Sequence, residues 1–122
     1  MNGLDWVFSV VLAGVFFLVG ATLVVRFEKA LDLFPWVKDV PRLLAQAIGV
    51  AEILGALGLI LPAATGILPW LTPLSAVALA LLMLMAATFN GMRRDKAETV
   101  LNLILLAMLA LVAYIRWPLM PF

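Results

Sequence analysis

The chain has 122 residues, of which 66% are hydrophobic and only 12% charged, with a formal net charge of +1. That is about half the charge of a soluble domain, and so small a net charge leaves no electrostatic case for nucleic acid as a partner. Cysteine and histidine are absent, which excludes thiol–disulfide chemistry, Cys-ligated iron–sulfur clusters and His-ligated haem in this chain, and leaves no basis for a protein-held zinc or copper site.

Four apolar segments follow one another: about 6–25, 43–61, 73–92 and 97–117. Each is roughly 19–21 residues, about 30 Å of helix, the thickness of a bilayer core. The first has no Lys or Arg ahead of it and is longer than a secretory signal core, so it reads as a span; Gly14 and Gly20 are its small contact points. Thr72-Pro73 reads as N-cap and first residue of the third span, and Asp95 to Glu98 has capping-box spacing at the start of the fourth. Pro62 is expected to stop the second span, and Pro118 and Pro121 the fourth. The expected fold is therefore all-α: a single-domain, membrane-spanning four-helix bundle.

The connections differ in character. Residues 26–42 are polar, but Phe27, Leu31 and Phe34 fall on one helical face, which predicts a short interfacial amphipathic helix between spans one and two. The connection Pro62–Leu71 carries no charge and is expected in the headgroup region or folded back on the bundle. The third, 91–96, is tight and basic. Trp6, Trp36, Trp70 and Trp117 all fall at expected water–lipid boundaries, where indole rings prefer to sit.

Glu52 lies in the middle of the second span. A carboxyl group there costs about 2.5–3.5 kcal/mol on insertion scales. Ala47, Ala51 and Gly55 form a small-residue stripe suited to close helix contact, and Gly49, Glu52 and Ala56 share a neighbouring face, so Glu52 is expected to point into the bundle. Gln46, Asn90 and Asn102 enter from the same, basic side. Together these four suggest a polar pocket, with Glu52 as its floor about 9 Å deeper than Gln46. No Lys or Arg lies at Glu52's depth, desolvation disfavours the ionised form, and a neutral carboxylic acid can both donate and accept: to an amide such as Asn102, or to a ligand carbonyl. The same side chains could serve only as interhelical hydrogen bonds. Thr22, Ser75 and Thr88 are expected to bond to their own helices, and Met83, Met85 and Met92 to be packing residues rather than copper ligands. No catalytic residue and no metal ligand is assigned.

PW-x-KD at Pro35–Asp39, G-V-x-E-x-x-G-A-L-G-L-I-L-P at Gly49–Pro62, T-G-I-L-P-W-L-T-P-L at Thr65–Leu74 and V-A-Y-x-R at Val112–Arg116 resemble the DoxX-like family of small four-helix membrane proteins. The resemblance covers nearly the whole chain and places the motif's glutamate on Glu52. It implies kinship with subunits of membrane oxidoreductases, including a quinone-reducing thiosulfate oxidoreductase. Two positions depart from the family pattern: no lysine follows Gly20 until Arg26 intervenes, and Phe89-Asn90 stands where Phe-His is common. The second removes a proton carrier but keeps a group that donates and accepts.

Three roles fit these residues: an accessory or quinone- or lipophile-handling subunit of a membrane oxidoreductase system; a binding or transport protein for a small lipophilic molecule; or a purely structural subunit of a larger complex. A stand-alone enzyme such as a lipid isomerase needs only a positioned acid and an apolar cleft; Glu52 could supply the acid, but no second base accompanies it. The chain has no cofactor ligands of its own, so quinone is the cofactor the first role would bring. Its partners would be the bilayer, oxidoreductase subunits or further copies of itself. Arg26, Lys29, Lys38, Arg42, Arg93, Arg94 and Lys96 lie on the side of connections one and three, against Arg116 on the other. The positive-inside rule then puts 26–42 and 91–96 in the cytoplasm and both termini outside, in a bacterial inner membrane. A reporter fused at Phe122 should be active only outside the cytoplasm; activity confined to the cytoplasm would reverse this topology.

Overall fold

A computed structural model describes residues 3–66 and 70–119. The regular structure among the described residues is all helical: α1 (Gly3–Val25), α2 (Phe27–Leu33), a 3₁₀ turn (Pro35–Asp39), α3 (Arg42–Thr65), α4 (Leu71–Met92), α5 (Lys96–Ile115) and a terminal 3₁₀ turn (Trp117–Leu119). Four of them are long and apolar enough to cross a membrane: Trp6–Val25, Arg42–Pro62, Leu71–Met92 and Lys96–Ile115. Much of their surface is outward-facing Val, Leu, Ile and Met, which is the surface that acyl chains cover. This is an integral membrane helical bundle.

The helices form two close pairs, α1 with α3 and α4 with α5, joined along α3 and α4, with a lighter contact between α1 and α5. The first pair closes on glycine. A Cβ built on Gly20 would fall 2.5 Å from the carbonyl oxygen of Gly49, and one on Gly49 would fall 2.8 Å from that of Gly20. The two backbones therefore touch, which only glycine permits, and van der Waals contact at such places is the main attraction between helices in lipid. The buried face of α3 is accordingly Ala45, Gly49, Glu52, Ala56 and Leu59. The stripe Ala47, Ala51 and Gly55 is not the contact face: Ala47 and Ala51 are exposed, and Gly55 packs on Leu79 of α4. Gly14 meets no neighbour within 4 Å and is likewise not a contact point.

The α4–α5 pair closes on a tight turn. Arg94 N–H donates to the Gly91 carbonyl (3.1 Å) and Asp95 N–H to that of Asn90 (3.0 Å). This double bond pattern is the Schellman stop, with Arg94 in the left-handed position (φ 61°) usually given to glycine. Asp95 then caps α5, its carboxylate accepting from Glu98 N–H at 3.1 Å, as the spacing predicts. At the other end α5 stops at Ile115, ahead of Pro118; Pro121 lies outside the described residues. There the buried Arg116 donates to Ser9 of α1 (3.4 Å) and lies over the Trp6 ring (5.2 Å), tying α5 back to α1.

Two helix ends differ from expectation. Pro62 does not stop α3, which runs on to Thr65 and ends on Gly66 at φ 77°. Proline is tolerated inside membrane helices. Ser75 of α4 packs its Oγ into the space that a Cβ on Gly58 would fill. Ser75 thus faces a neighbouring helix, whereas Thr22 and Thr88 donate to their own helices at Leu18 and Leu84. Thr72 is not an N-cap either. α4 begins one residue earlier, at Leu71, with no side-chain cap, and Thr72 is buried in its first turn. Of the uncharged connection Pro62–Leu71, residues 67–69 lie outside the described residues.

Two packed clusters divide the bundle along its length. Toward the termini, Leu12 and Phe16, Ala56 and Leu59, Ala76 and Met83, and Leu109 and Val112 join all four long helices. At the basic end, Leu23, Phe27, Ala30, Val37 and Ala45 seat the first connection on α1 and α3. The short helix exists with its apolar side inward on this cluster and Glu28, Lys29 and Asp32 outward, although Phe34 falls just beyond its last residue.

Gly20→Ala and Gly49→Ala should each destabilise the bundle by about 1–3 kcal/mol, because backbone would have to separate. Gly14→Ala should be neutral or stabilising. Unfolding titrations in detergent micelles measure all three.

Candidate functional site

Between the two clusters lies a cavity of about 330 Å³, enclosed by all four long helices and the first connection. Phe16 and Met83, the last residues of the terminal-side core, close it on one side; Phe34, Trp36 and Val40 of the connection cover it on the basic side. Its walls are mostly apolar. Val15, Leu44, Met85 and Leu101 line it and are also exposed on the bundle surface, so the rim that meets the bilayer is hydrocarbon.

Glu52 reaches this cavity from α3 and is 3% exposed. Gly20 makes room for it: a Cβ on Gly20 would lie 3.2 Å from the Glu52 Cβ. The close approach of α1 and α3 thus presses the glutamate stem against α1. Among the described residues, no hydrogen bond or ion pair reaches the carboxyl group.

Asn90 and Asn102 line the same cavity, from α4 and α5, and are 2% and 6% exposed. Asn90 Oδ1 accepts from Arg93 Nη1 at 3.1 Å. Asn102 Nδ2 is buried with no partner among the described residues, so the Glu52–Asn102 bond that depth alone would allow is not made. Gln46 is half-buried on α3 and does not line the cavity. Six residues of helix turn through about 600°, which puts Gln46 some 120° around α3 from Glu52; Ile48, four residues from Glu52, occupies that wall instead.

Glu98 is the polar residue that sequence reasoning left out of the site. Its spacing from Asp95 marks a cap, yet it also lines the cavity at its basic end. The available signal was spacing: Glu98, Asn102 and Leu105 fall at i, i+4 and i+7 on one face of α5, and all three line the cavity. Met83 and Met85 both contribute, one from the core and one from the rim.

Arg93 holds the roof. Its Nε donates to Asp39 Oδ2 at 2.6 Å, its Nη2 to the Pro35 carbonyl at 3.0 Å, and its Nη1 to Asn90, with Asp95 Oδ2 3.7 Å away. One guanidinium therefore fastens the 3₁₀ turn to the α4–α5 turn, directly above the cavity. The residues of PW-x-KD are the ones it grips.

The model of the DoxX-like family matches residues 7–112. The chain belongs to the DoxX-like family. The match takes in α3 and α4, most of α1 and α5, both basic connections, and Glu52, Asn90 and Asn102. Comparison with curated proteins and with solved structures finds no match. Family membership thus accounts for a small integral membrane protein, and the chemistry of this DoxX-like chain has to be argued from its own cavity.

An unpartnered buried polar group destabilises a fold by about 1–3 kcal/mol. Glu52→Leu should therefore leave the stability of this DoxX-like protein unchanged or raise it by about 1 kcal/mol. Were Glu52 an interhelical bond, the same substitution would lower stability by about 0.6–2 kcal/mol. Thermal or denaturant unfolding in micelles distinguishes the two.

Proposed function

We propose that this DoxX-like protein binds a small lipophilic molecule between its two helix pairs, taking it sideways from the bilayer, and that it does so as an accessory, lipophile-handling component of a membrane oxidoreductase system. The observation that carries the reading is Glu52: a carboxyl group at membrane depth, facing a cavity and bonded to nothing among the described residues. Two further features support it. The cavity is of ligand size and mostly apolar with a few convergent polar groups, the usual form of a small-molecule site, and its rim is apolar where hydrocarbon would pass.

A quinone is one molecule of this class. Its ring and tail suit the apolar walls, and its oxygens would lie among Glu52, Asn90 and Asn102. The chain has no cysteine or histidine to hold a redox centre, so electrons would come from a partner subunit. The basic connections, 26–42 and 91–96, would face the cytoplasm of a bacterial cell, placing the polar end of the cavity nearer that side. A purely structural role is less well supported, because glue between helices requires a bond, and Glu52 makes none among the described residues.

Native mass spectrometry of protein extracted gently from its membrane should find a neutral lipophile retained at near one per chain. Ala86→Trp, which fills the cavity from α4, should abolish retention while the helical content stays unchanged. Extraction of a chain with no retained lipophile, or retention unaffected by Ala86→Trp, would overturn the reading.

A further inference from the structure

The polar groups of the cavity are not equivalent, and Arg93 decides how one of them is presented. Arginine has only donors. A guanidinium beside an asparagine amide must therefore take the oxygen and turn the nitrogen away. This one is not free to follow Asn90, because Asp39 Oδ2 and the Pro35 carbonyl hold its Nε and Nη2. Asn90 Oδ1 accepts from Arg93 Nη1 at 3.1 Å, and its Nδ2 is left on the other side of the amide. No hydrogen bond among the described residues uses that nitrogen. On α5, Asn102 Nδ2 is buried and also without a partner.

We infer that Arg93 is the positioning residue of this site: by fixing the Asn90 amide it makes the α4–α5 wall a donor surface, and it thereby selects lipophiles that carry a carbonyl-type acceptor oxygen over hydrocarbons of the same shape. The inference rests on the proposed lipophile site and adds its selectivity and the residue that sets it. The chemistry is that of an unmet donor. An amide N–H shut away from water loses the full value of its bond unless something in the cavity accepts it. A ketone, ester or quinone oxygen does so; a methylene does not. Glu52 and Glu98 also line the cavity, from α3 and α5, and neither accepts from these amides. The acceptor must therefore arrive with the ligand. Arg93 itself need not touch that ligand, since it acts through Asn90.

The test compares tetradecan-2-one with 2-methyltetradecane, in which a methyl group stands where the ketone has oxygen. Binding of both is measured by equilibrium dialysis in one detergent, for the full chain and two variants. Wild type should prefer the ketone. Asn90→Asp keeps the shape and the bond to Arg93 but removes the N–H donors, and should lower the ketone preference about tenfold with hydrocarbon binding unchanged. Arg93→Met should free the amide to rotate and also lower that preference, while the hydrocarbon still binds. A merely structural role for either residue would weaken both compounds alike and would overturn the inference. So would a wild-type preference retained in both variants, which would leave the lipophile site standing. If neither compound binds wild type, the site itself fails.

Discussion

The backbones of α1 and α3 touch at Gly20 and Gly49, and most of the architecture follows from that contact. In lipid no hydrophobic force drives helices together, so attraction depends on how closely two backbones approach. Each of these glycines leaves the space that the other's carbonyl fills. The contact fixes the rotation of α3 about its own axis. It turns the face of Ala45, Gly49, Glu52 and Ala56 inward and leaves Ala47 and Ala51 to the acyl chains. Glu52 is buried because it lies one turn beyond Gly49, on a face that glycine has already committed.

The other pair is held by different means, and the cavity is what remains between the two. α4 and α5 are joined by a Schellman turn whose left-handed residue is an arginine, followed at once by an aspartate cap. Leu, Phe and Met side chains fill the bundle toward the termini. Toward the basic end the helices are bridged by the first connection, which Arg93 fastens through Asp39 and Pro35. The space enclosed is apolar except for carboxyl and amide groups from three helices. Such groups cost stability when they bond to nothing, and natural proteins accept that cost mainly where a site requires it.

The sequence made the architecture legible because bilayer thickness imposes a length on each helix, and four stretches of that length are plain to read. Glu52, Asn90 and Asn102 were legible as one group because depth along a helix follows directly from residue count. What depth does not give is direction around the axis. Gln46 shares their depth but sits a third of a turn away; Glu98 has the spacing of a cap, although its spacing from Asn102 also puts both on one face. The small-residue stripe was misassigned for a related reason. Ala47–Ala51–Gly55 and Ala45–Gly49–Ala56 are equally regular, and only the position of Gly20 on another helix decides between them. Pro62 does not end α3 because the rule that proline ends helices is drawn from soluble proteins, and membrane helices tolerate proline. Arg93 was counted as a topology signal, since nothing in its neighbourhood along the chain reveals that it reaches back to residues 35 and 39.

The most direct test of this account is a map of the protein in a lipid nanodisc at a resolution that shows side chains. The account requires non-protein density running inward from the rim at Val15 and Leu101 to end beside the Glu52 carboxyl group, with α1 and α3 in contact at Gly20 and Gly49. A cavity closed by the protein's own side chains, or a Glu52 carboxyl bonded to Asn102 or turned toward the acyl chains, would contradict it.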